Sequence, residues 1–233
     1  MDEGRKFRNE LKYICSKGEL LILKSRVHAV MKSDANATAD GTYLIKSIYF
    51  DDYDNTSFGE KDSGTDPRGK WRIRAYNNDD STTRLEFKYK EHGMISKDSC
   101  RLTRSEFDGI MEGTARIGDV DSPVFRRFMI DVKSYHMVPA IIVQYVRRPF
   151  VHALGNVRVT FDTDISSSKD YDKFFEPDLS VRPIMPIGQG LLEVKYDEYI
   201  PDHIYHALQL KDMRQETFSK YCLCRQFSIG GIV

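Results

Sequence analysis

The sequence predicts an α+β protein built on an antiparallel, eight-stranded β-barrel, a tunnel with a charged lumen and helices packed around it. Three observations carry this. Eight segments alternate polar and apolar residues with the period of a strand, and turn signals join several of them directly. That excludes the strand–helix–strand order of a parallel sheet. The polar face of most of these segments is charged rather than merely hydrophilic. Finally, the pattern E-x-K recurs three times, as Glu10/Lys12, Glu86/Lys88 and Glu193/Lys195. Ordinary solvated faces rarely repeat one charged pattern on distant strands, whereas a shared interior gives a reason to.

In chain order, the first strand is expected over Phe7 to Cys15. Ser16-Lys17-Gly18-Glu19 is a capping box, and the apolar run Leu20, Leu21, Leu23, Val27, Val30 and Met31 follows it at helical spacing. Further strands are expected over Tyr43 to Asp51, Lys70 to Tyr76, Arg84 to Lys90 and Ile95 to Leu102. Asn77-Asn78-Asp79-Asp80 and Glu91-His92-Gly93 read as hairpin turns between them. Thr103-Arg104-Ser105-Glu106 is a second capping box, with Gly113 as the stop. Ser122-Pro123 starts a third helix carrying Phe125, Phe128, Met129 and Val132. Strands follow over Ala140 to Arg147, Val157 to Asp162 and Leu191 to Tyr196, with a loop from Asp164 to Gln189 and a last helix over Glu216 to Phe227. No internal repeat or linker divides the chain, so residues 1–233 are expected to form one domain.

Side chains at i and i+2 of a strand share a face. Glu10 and Lys12 therefore join Arg8, opposite Leu11 and Tyr13. Arg72 and Arg74 oppose Trp71 and Ile73, and Glu86, Lys88 and Lys90 oppose Leu85, Phe87 and Tyr89. Lys97 and Arg101 share a face, as do Arg158, Thr160 and Asp162, and Glu193 with Lys195. The competing reading is an open sheet with a solvated polar side.

Lys+Arg and Asp+Glu are equal at 35 each, which argues against a generally basic nucleic-acid or membrane binder. No stretch approaches the roughly 20 apolar residues of a membrane span. The start, Met1 to Glu10, lacks the apolar centre of a signal peptide. The four cysteines lack zinc-site spacing and fit free thiols of a reducing cytoplasm. There is no Walker motif, no G-x-S-x-G and no Cys/His pairing.

A closed lumen would gather about a dozen Lys/Arg and about four carboxylates. Like charges so close need a neutralising partner, and a polyanion is the natural one. Arginine forks match phosphate oxygens, and lysines add point charge. The carboxylates oppose phosphate unless they hold a divalent cation, which suggests a metal–triphosphate site.

At these residues the chain resembles a known family. E-x-K on the first strand, Ser47 to Asp52, Arg72 to Arg74, Leu85 to Lys88, Tyr145 to Arg147, Arg158 to Asp162, Leu192 to Lys195 and Ser219 to Tyr221 follow in order. This is similar to the vacuolar transporter chaperone (VTC) domain, the polyphosphate polymerase branch of the triphosphate tunnel metalloenzymes. The resemblance runs from about Phe7 to Phe227. It implies transfer of the terminal phosphate of ATP to inorganic polyphosphate with Mn²⁺ or Mg²⁺. It assigns phosphate-binding roles to Lys12, Arg72, Arg74, Lys88, Lys97, Arg147, Arg158 and Lys220, adds Lys61 from a less secure loop, and makes Glu193 the metal ligand. Glu10 and Glu86 are left between orienting the basic residues and assisting the metal.

In that reading Arg72, Arg74, Arg147 and Arg158 stabilise the transferring phosphoryl group, with Lys88 beside them, while Lys12, Lys97, Lys195 and Lys220 hold the donor or guide the chain. The rivals are a metal-dependent hydrolase of inorganic or nucleoside triphosphates, a non-catalytic polyphosphate-binding module, and an RNA-triphosphatase-like role. The expectation is a cytoplasmic protein with a triphosphate and polyphosphate as partners, no nucleic acid and no membrane insertion. Without a membrane segment or a regulatory N-terminal domain, it resembles the stand-alone prokaryotic members.

Overall fold

The structure is a computed structural model describing residues 6–209 and 213–229. The first residues of the stretch read against a signal peptide, and both ends of the expected domain, lie outside the described residues. In chain order the first elements are β1 (Asn9–Ser16), α1 (Lys17–Val30), β2 (Lys32–Ser33), β3 (Tyr43–Asp51) and α2 (Thr56–Asp62). Next come β4 (Arg68–Tyr76), β5 (Asp79–Glu91), β6 (Met94–Arg101), α3 (Arg104–Met111) and α4 (Pro123–Tyr135). The last are β7 (Val138–His152), β8 (Val157–Ser168), β9 (Arg182–Pro183), β10 (Gln189–Tyr196), α5 (Asp202–Leu208) and α6 (Lys220–Ile229).

The main strands pair antiparallel in the order β1-β10-β8-β7-β3-β4-β5-β6; β2 adds to β7 and β9 to β8. The sheet curls until its outer strands meet. Arg8, just ahead of β1, and Ile95 of β6 exchange both backbone hydrogen bonds at 2.9 Å. One bridge, not a ladder, joins that seam among the described residues, so the barrel is bonded around seven seams and stitched at the eighth.

The turns account for the hairpins. Asn77 and Asn78 connect β4 to β5, and His92 and Gly93 connect β5 to β6, all with positive φ. Two central residues with positive φ give the turn whose twist matches a hairpin, and Asn and Gly tolerate it best. The helices start where the caps predict. Ser16 and Thr103 each accept from the backbone of the glutamate three residues on, which reaches back to the cap N–H. Ser122 caps α4 with Pro123 in its first turn.

Two apolar clusters lie outside the barrel wall. Leu20, Leu23 and Val27 of α1 pack with Tyr13, Val159, Phe161, Leu192 and Val194 and with Ile204 and Leu208 of α5. Phe125, Phe128 and Met129 of α4 pack with Trp71, Ile73, Leu85 and Phe87. The Phe128 ring sits 5.1 Å from Phe50 and 5.2 Å from Trp71. A third cluster is internal. On β3 and β7 the lumen-side positions Ile45, Ile141 and Val143 pack with Tyr221, Cys222 and Cys224 of α6. The charged lumen is thus built mainly by the other strands, while α6 fills an apolar part of the interior.

Four elements differ from expectation. β8 continues through Ser166 to Ser168, where a loop was expected, because β7 is long enough to pair with it beyond a register shift. The final helix begins at Lys220 rather than Glu216, because the Glu216 N–H donates to the Lys12 carbonyl of β1 at 2.8 Å. Helices α2 and α5 had no sequence forecast. Asn55 before α2 is left-handed and caps nothing itself; Asp51 and Asp52 accept from Thr56, Ser57 and Phe58 instead.

Candidate active site

Strand register lays the charged residues out in rows. Across β4, β5 and β6, Lys70, Lys88 and Lys97 are direct neighbours, and so are Arg72, Glu86 and Ser99. Across β1 and β10, Glu10 faces Lys195 and Lys12 faces Glu193. Two E-x-K patterns running antiparallel therefore set each acid opposite a lysine. The third, on β5, closes the ring: Lys88 Nζ lies 3.2 Å from both Glu10 oxygens across the stitched seam.

These rows enclose a cavity of about 420 Å³. It is lined by Arg72, Arg74, Arg147, Arg158, Lys88, Lys12, Lys97, Lys195, Lys220, Glu193 and Glu10, bringing eleven of the predicted residues together. Glu86 stands behind that lining, fully buried. Lys61 is the exception. It sits on α2, which packs against β3, β4 and α6, and it does not line the cavity. The expected loop is instead a short helix, capped by Asp51 and Asp52.

Several lining residues escaped the sequence reading. Lys70 shares the parity of Arg72 and Arg74, a signal that was present. Its ammonium lies 5.0 Å from the centre of the Tyr221 ring. Tyr43, Tyr49, Tyr76, Tyr145 and Tyr221 also line the cavity. Arg72 donates to the Tyr49 hydroxyl at 3.0 Å, Arg74 to Tyr145 at 3.3 Å and Arg158 to Tyr43 at 2.7 Å. Tyrosine positions a guanidinium without neutralising it, leaving charge for a ligand.

Each carboxylate is surrounded by cations. Glu86 Oε2 receives Arg72 at 2.7 and 2.6 Å, and its Oε1 receives Lys97 at 2.7 Å. Asp162 takes Arg147 through two parallel bonds of 2.6 and 2.7 Å and lies 2.7 Å from Lys220. Glu193 lies 2.9 Å from Lys195 and 3.6 Å from Arg147. Burial alone would raise these acids, but the neighbouring Arg and Lys groups hold Glu10, Glu86, Asp162 and Glu193 below the usual carboxylate range. All four are ionised at neutral pH. Even so, twelve basic residues line the cavity against two lining carboxylates, Glu10 and Glu193.

Such a surface binds a compact, highly charged anion and stabilises charge shifting along it. It offers little acid–base chemistry: no histidine or cysteine is among the lining residues, and the two lining acids are held ionised. No group of three or more metal-ligating side chains occurs among the described residues. The donor set nevertheless fits a divalent cation that arrives with phosphate. Glu10 and Glu193 are adjacent, and the Thr160 hydroxyl opposite Glu193 is buried without a hydrogen-bond partner. One or two carboxylates completed by substrate oxygens is the usual Mg²⁺ arrangement.

Comparison with known proteins agrees with this geometry. A protein from Bacillus halodurans, provisionally an adenylate cyclase, superposes with a TM-score of 0.55 at 13% identity, covering 93% of this chain and 95% of that one. A Hippeastrum protein considered for adenylyl cyclase activity, with a dominant triphosphatase activity, gives 0.56 at 14% identity, covering 95% of each. At such identities the likeness is one of fold. No curated protein sequence is significantly similar to the chain. The family model of the VTC domain matches residues 7–229, nearly the whole chain, and on that match the chain belongs to the VTC domain family.

Proposed function

We propose that this chain transfers the terminal phosphate of ATP to a growing polyphosphate chain. The observation that carries the reading is the imbalance in the cavity, with twelve basic side chains against two lining carboxylates, both held ionised. A polyphosphate acceptor is already an anion, so it needs no general base and it uses the surplus positive charge. Water as acceptor would use neither property.

In this reading Arg72, Arg74, Arg147 and Arg158 neutralise the equatorial oxygens of the transferring group, where guanidinium forks match the geometry. Lys12, Lys88, Lys97, Lys195 and Lys220 hold the donor triphosphate and the acceptor end. Glu86 and Asp162 act on the arginines, fixing Arg72 and Arg147 in place. Glu10 and Glu193 would hold Mg²⁺ or Mn²⁺ together with substrate phosphates, and the ion supplies Lewis-acid charge neutralisation. An ATP donor and free cysteines at 15, 100, 222 and 224 fit a cytoplasmic setting, and no helix among the described residues is long and apolar enough to cross a membrane.

A second reading, hydrolysis of a triphosphate in the same cavity, is favoured by the triphosphatase activity of the Hippeastrum neighbour. One experiment separates the two. Incubation with ATP and Mn²⁺ is expected to give a lengthening polyphosphate ladder on a gel. Phosphate release without polymer would replace the polymerase reading with the hydrolase.

A further inference from the structure

One row of charge continues past the cavity. Arg74 of β4 stands directly opposite Arg84 of β5, and Arg84 directly opposite Arg101 of β6. All three have lumen-side parity, as Arg72, Glu86 and Ser99 do one row deeper. The two rows differ in one respect. In the deeper row Glu86 neutralises its neighbours; in the outer row no acid is interposed. Like charges directly opposite on adjacent strands are destabilising. Arg84 and Arg101 are exposed, and neither has a carboxylate within salt-bridge distance among the described residues. Among the described residues the Arg101 guanidinium donates to the Ser81 carbonyl, at 2.9 Å.

The row opens into a second hollow of about 590 Å³. This hollow shares Tyr43, Tyr76 and Arg158 with the central cavity, so the two adjoin at these side chains. Its two acids are hydrogen-bonded within the hollow: Asp34 holds Arg158 at 2.6 Å, and Asp79 accepts from Ser81 at 2.8 and 2.9 Å. From Arg74 to Arg101 is two inter-strand steps, about 10 Å. A ligand reaching this pair from inside is therefore a linear anion already held in the cavity.

We propose that Arg84 and Arg101 form an outer phosphate subsite, which takes the phosphates of a linear polyphosphate that extend beyond those held in the central cavity. The inference rests on the proposed polyphosphate chemistry and adds to it a chain-length preference set at the mouth. A nucleic-acid strand would need base platforms. The tyrosines of the hollow supply none, since Tyr43 and Tyr76 are packed edge-to-face on each other, 5.5 Å apart.

The test is binding, measured without turnover. Inorganic triphosphate and a polyphosphate of several tens of residues are titrated into the full chain, into Arg84→Ala/Arg101→Ala, and into Arg84→Lys/Arg101→Lys. The alanine pair is expected to weaken long polyphosphate about tenfold or more and to leave triphosphate within about twofold. The lysine pair is expected to restore most of the loss. Equal weakening of both ligands would make the effect a diffuse charge effect and overturn the subsite. Unchanged polyphosphate binding, or a loss confined to a single-stranded oligonucleotide, would overturn it too. Because no turnover is required, failure of the polymerase reading shows separately, as absence of polymer from the wild-type chain.

Discussion

Glu10 and Glu193 share one ammonium: Lys195 Nζ lies 3.3 Å from Glu10 Oε1 and 2.9 Å from Glu193 Oε1. Each acid raises the other's proton affinity, yet both stay ionised because Lys12, Lys88, Arg147 and Lys220 add to Lys195. Two carboxylates held apart from protons by surrounding cations are poor bases. Glu10 and Glu193 would hold a divalent ion arriving with phosphate, which completes its coordination with phosphate oxygens.

Substituting Glu193→Gln keeps size and removes charge. If the carboxylate holds the metal, metal-dependent turnover should fall on the order of 100-fold or more. Triphosphate binding without metal should persist or tighten, because a negative charge has left a cationic wall. Near-normal turnover by a folded Glu193→Gln protein, with only a lower melting temperature, would reduce Glu193 to a salt-bridge partner of Lys195.

Glu86 should behave differently. Its carboxylate is fully buried and taken up by Arg72 and Lys97, an arrangement that suits orienting basic side chains better than holding a metal. Removing one member of a buried ion cluster strands the others, typically at about 3–5 kcal/mol. Glu86→Gln is expected to lower the unfolding free energy from urea titration by that order and to leave the Mn²⁺ concentration dependence of any residual activity unchanged. A selective shift in metal dependence with normal stability would assign Glu86 to the metal instead.

The charged lumen was legible because strand parity is strict: Lys12, Arg72, Arg74, Lys88 and Arg158 each have apolar neighbours on the outer wall. Capping boxes at Ser16 and Thr103 were equally legible, because their hydrogen bonds are local. What stayed hidden depends on distant partners. α2 takes its cap from Asp51 and Asp52, residues of the strand before it and the turn after that strand. The serines at 166–168 have weak strand propensity, and pairing with β7 overrides it. Lys70, the first residue of the expected strand, was readable by parity with Arg72 and Arg74 but was not singled out. The apolar side of the lumen was not readable, because Ile45, Ile141 and Val143 look the same in sequence whether they face α6 or an outer helix.

Asp51 and Tyr221 make a second prediction about stability. The Tyr221 hydroxyl donates to Asp51, whose oxygens also accept from Ser57 N at 2.9 Å and Phe58 N at 3.1 Å. One buried carboxylate thus caps α2 and anchors α6 against β3. Asp51→Ala removes the cap and leaves a buried hydroxyl unpaired, a loss of about 2–4 kcal/mol combined. Tyr221→Phe, which loses only one bond, should cost about 1–2 kcal/mol. Both are read from denaturant midpoints, and a smaller loss for Asp51→Ala than for Tyr221→Phe would disprove the shared anchor.

Lys70 makes the last prediction, a proton count. Burial lowers its affinity for a proton, and nearby Lys12 and Arg68 lower it further, while no carboxylate pairs with it among the described residues. In the free protein its proton is therefore lost at lower pH than from an ordinary lysine. A bound phosphate favours the ammonium and raises the pKa again. Between the lowered free value and the higher bound value, binding must take up protons, so triphosphate affinity falls as pH rises through that window. Calorimetric titration in two buffers of different ionisation enthalpy measures the uptake directly. A guanidinium at this position stays charged throughout, so Lys70→Arg should reduce the uptake and flatten the alkaline fall in affinity. The stability of the free protein runs the opposite way. Where the unfolded chain binds the extra proton and the native chain does not, stability rises with pH, up to the ordinary lysine range. Uptake that is undiminished in Lys70→Arg would place the titrating group on another cavity lysine.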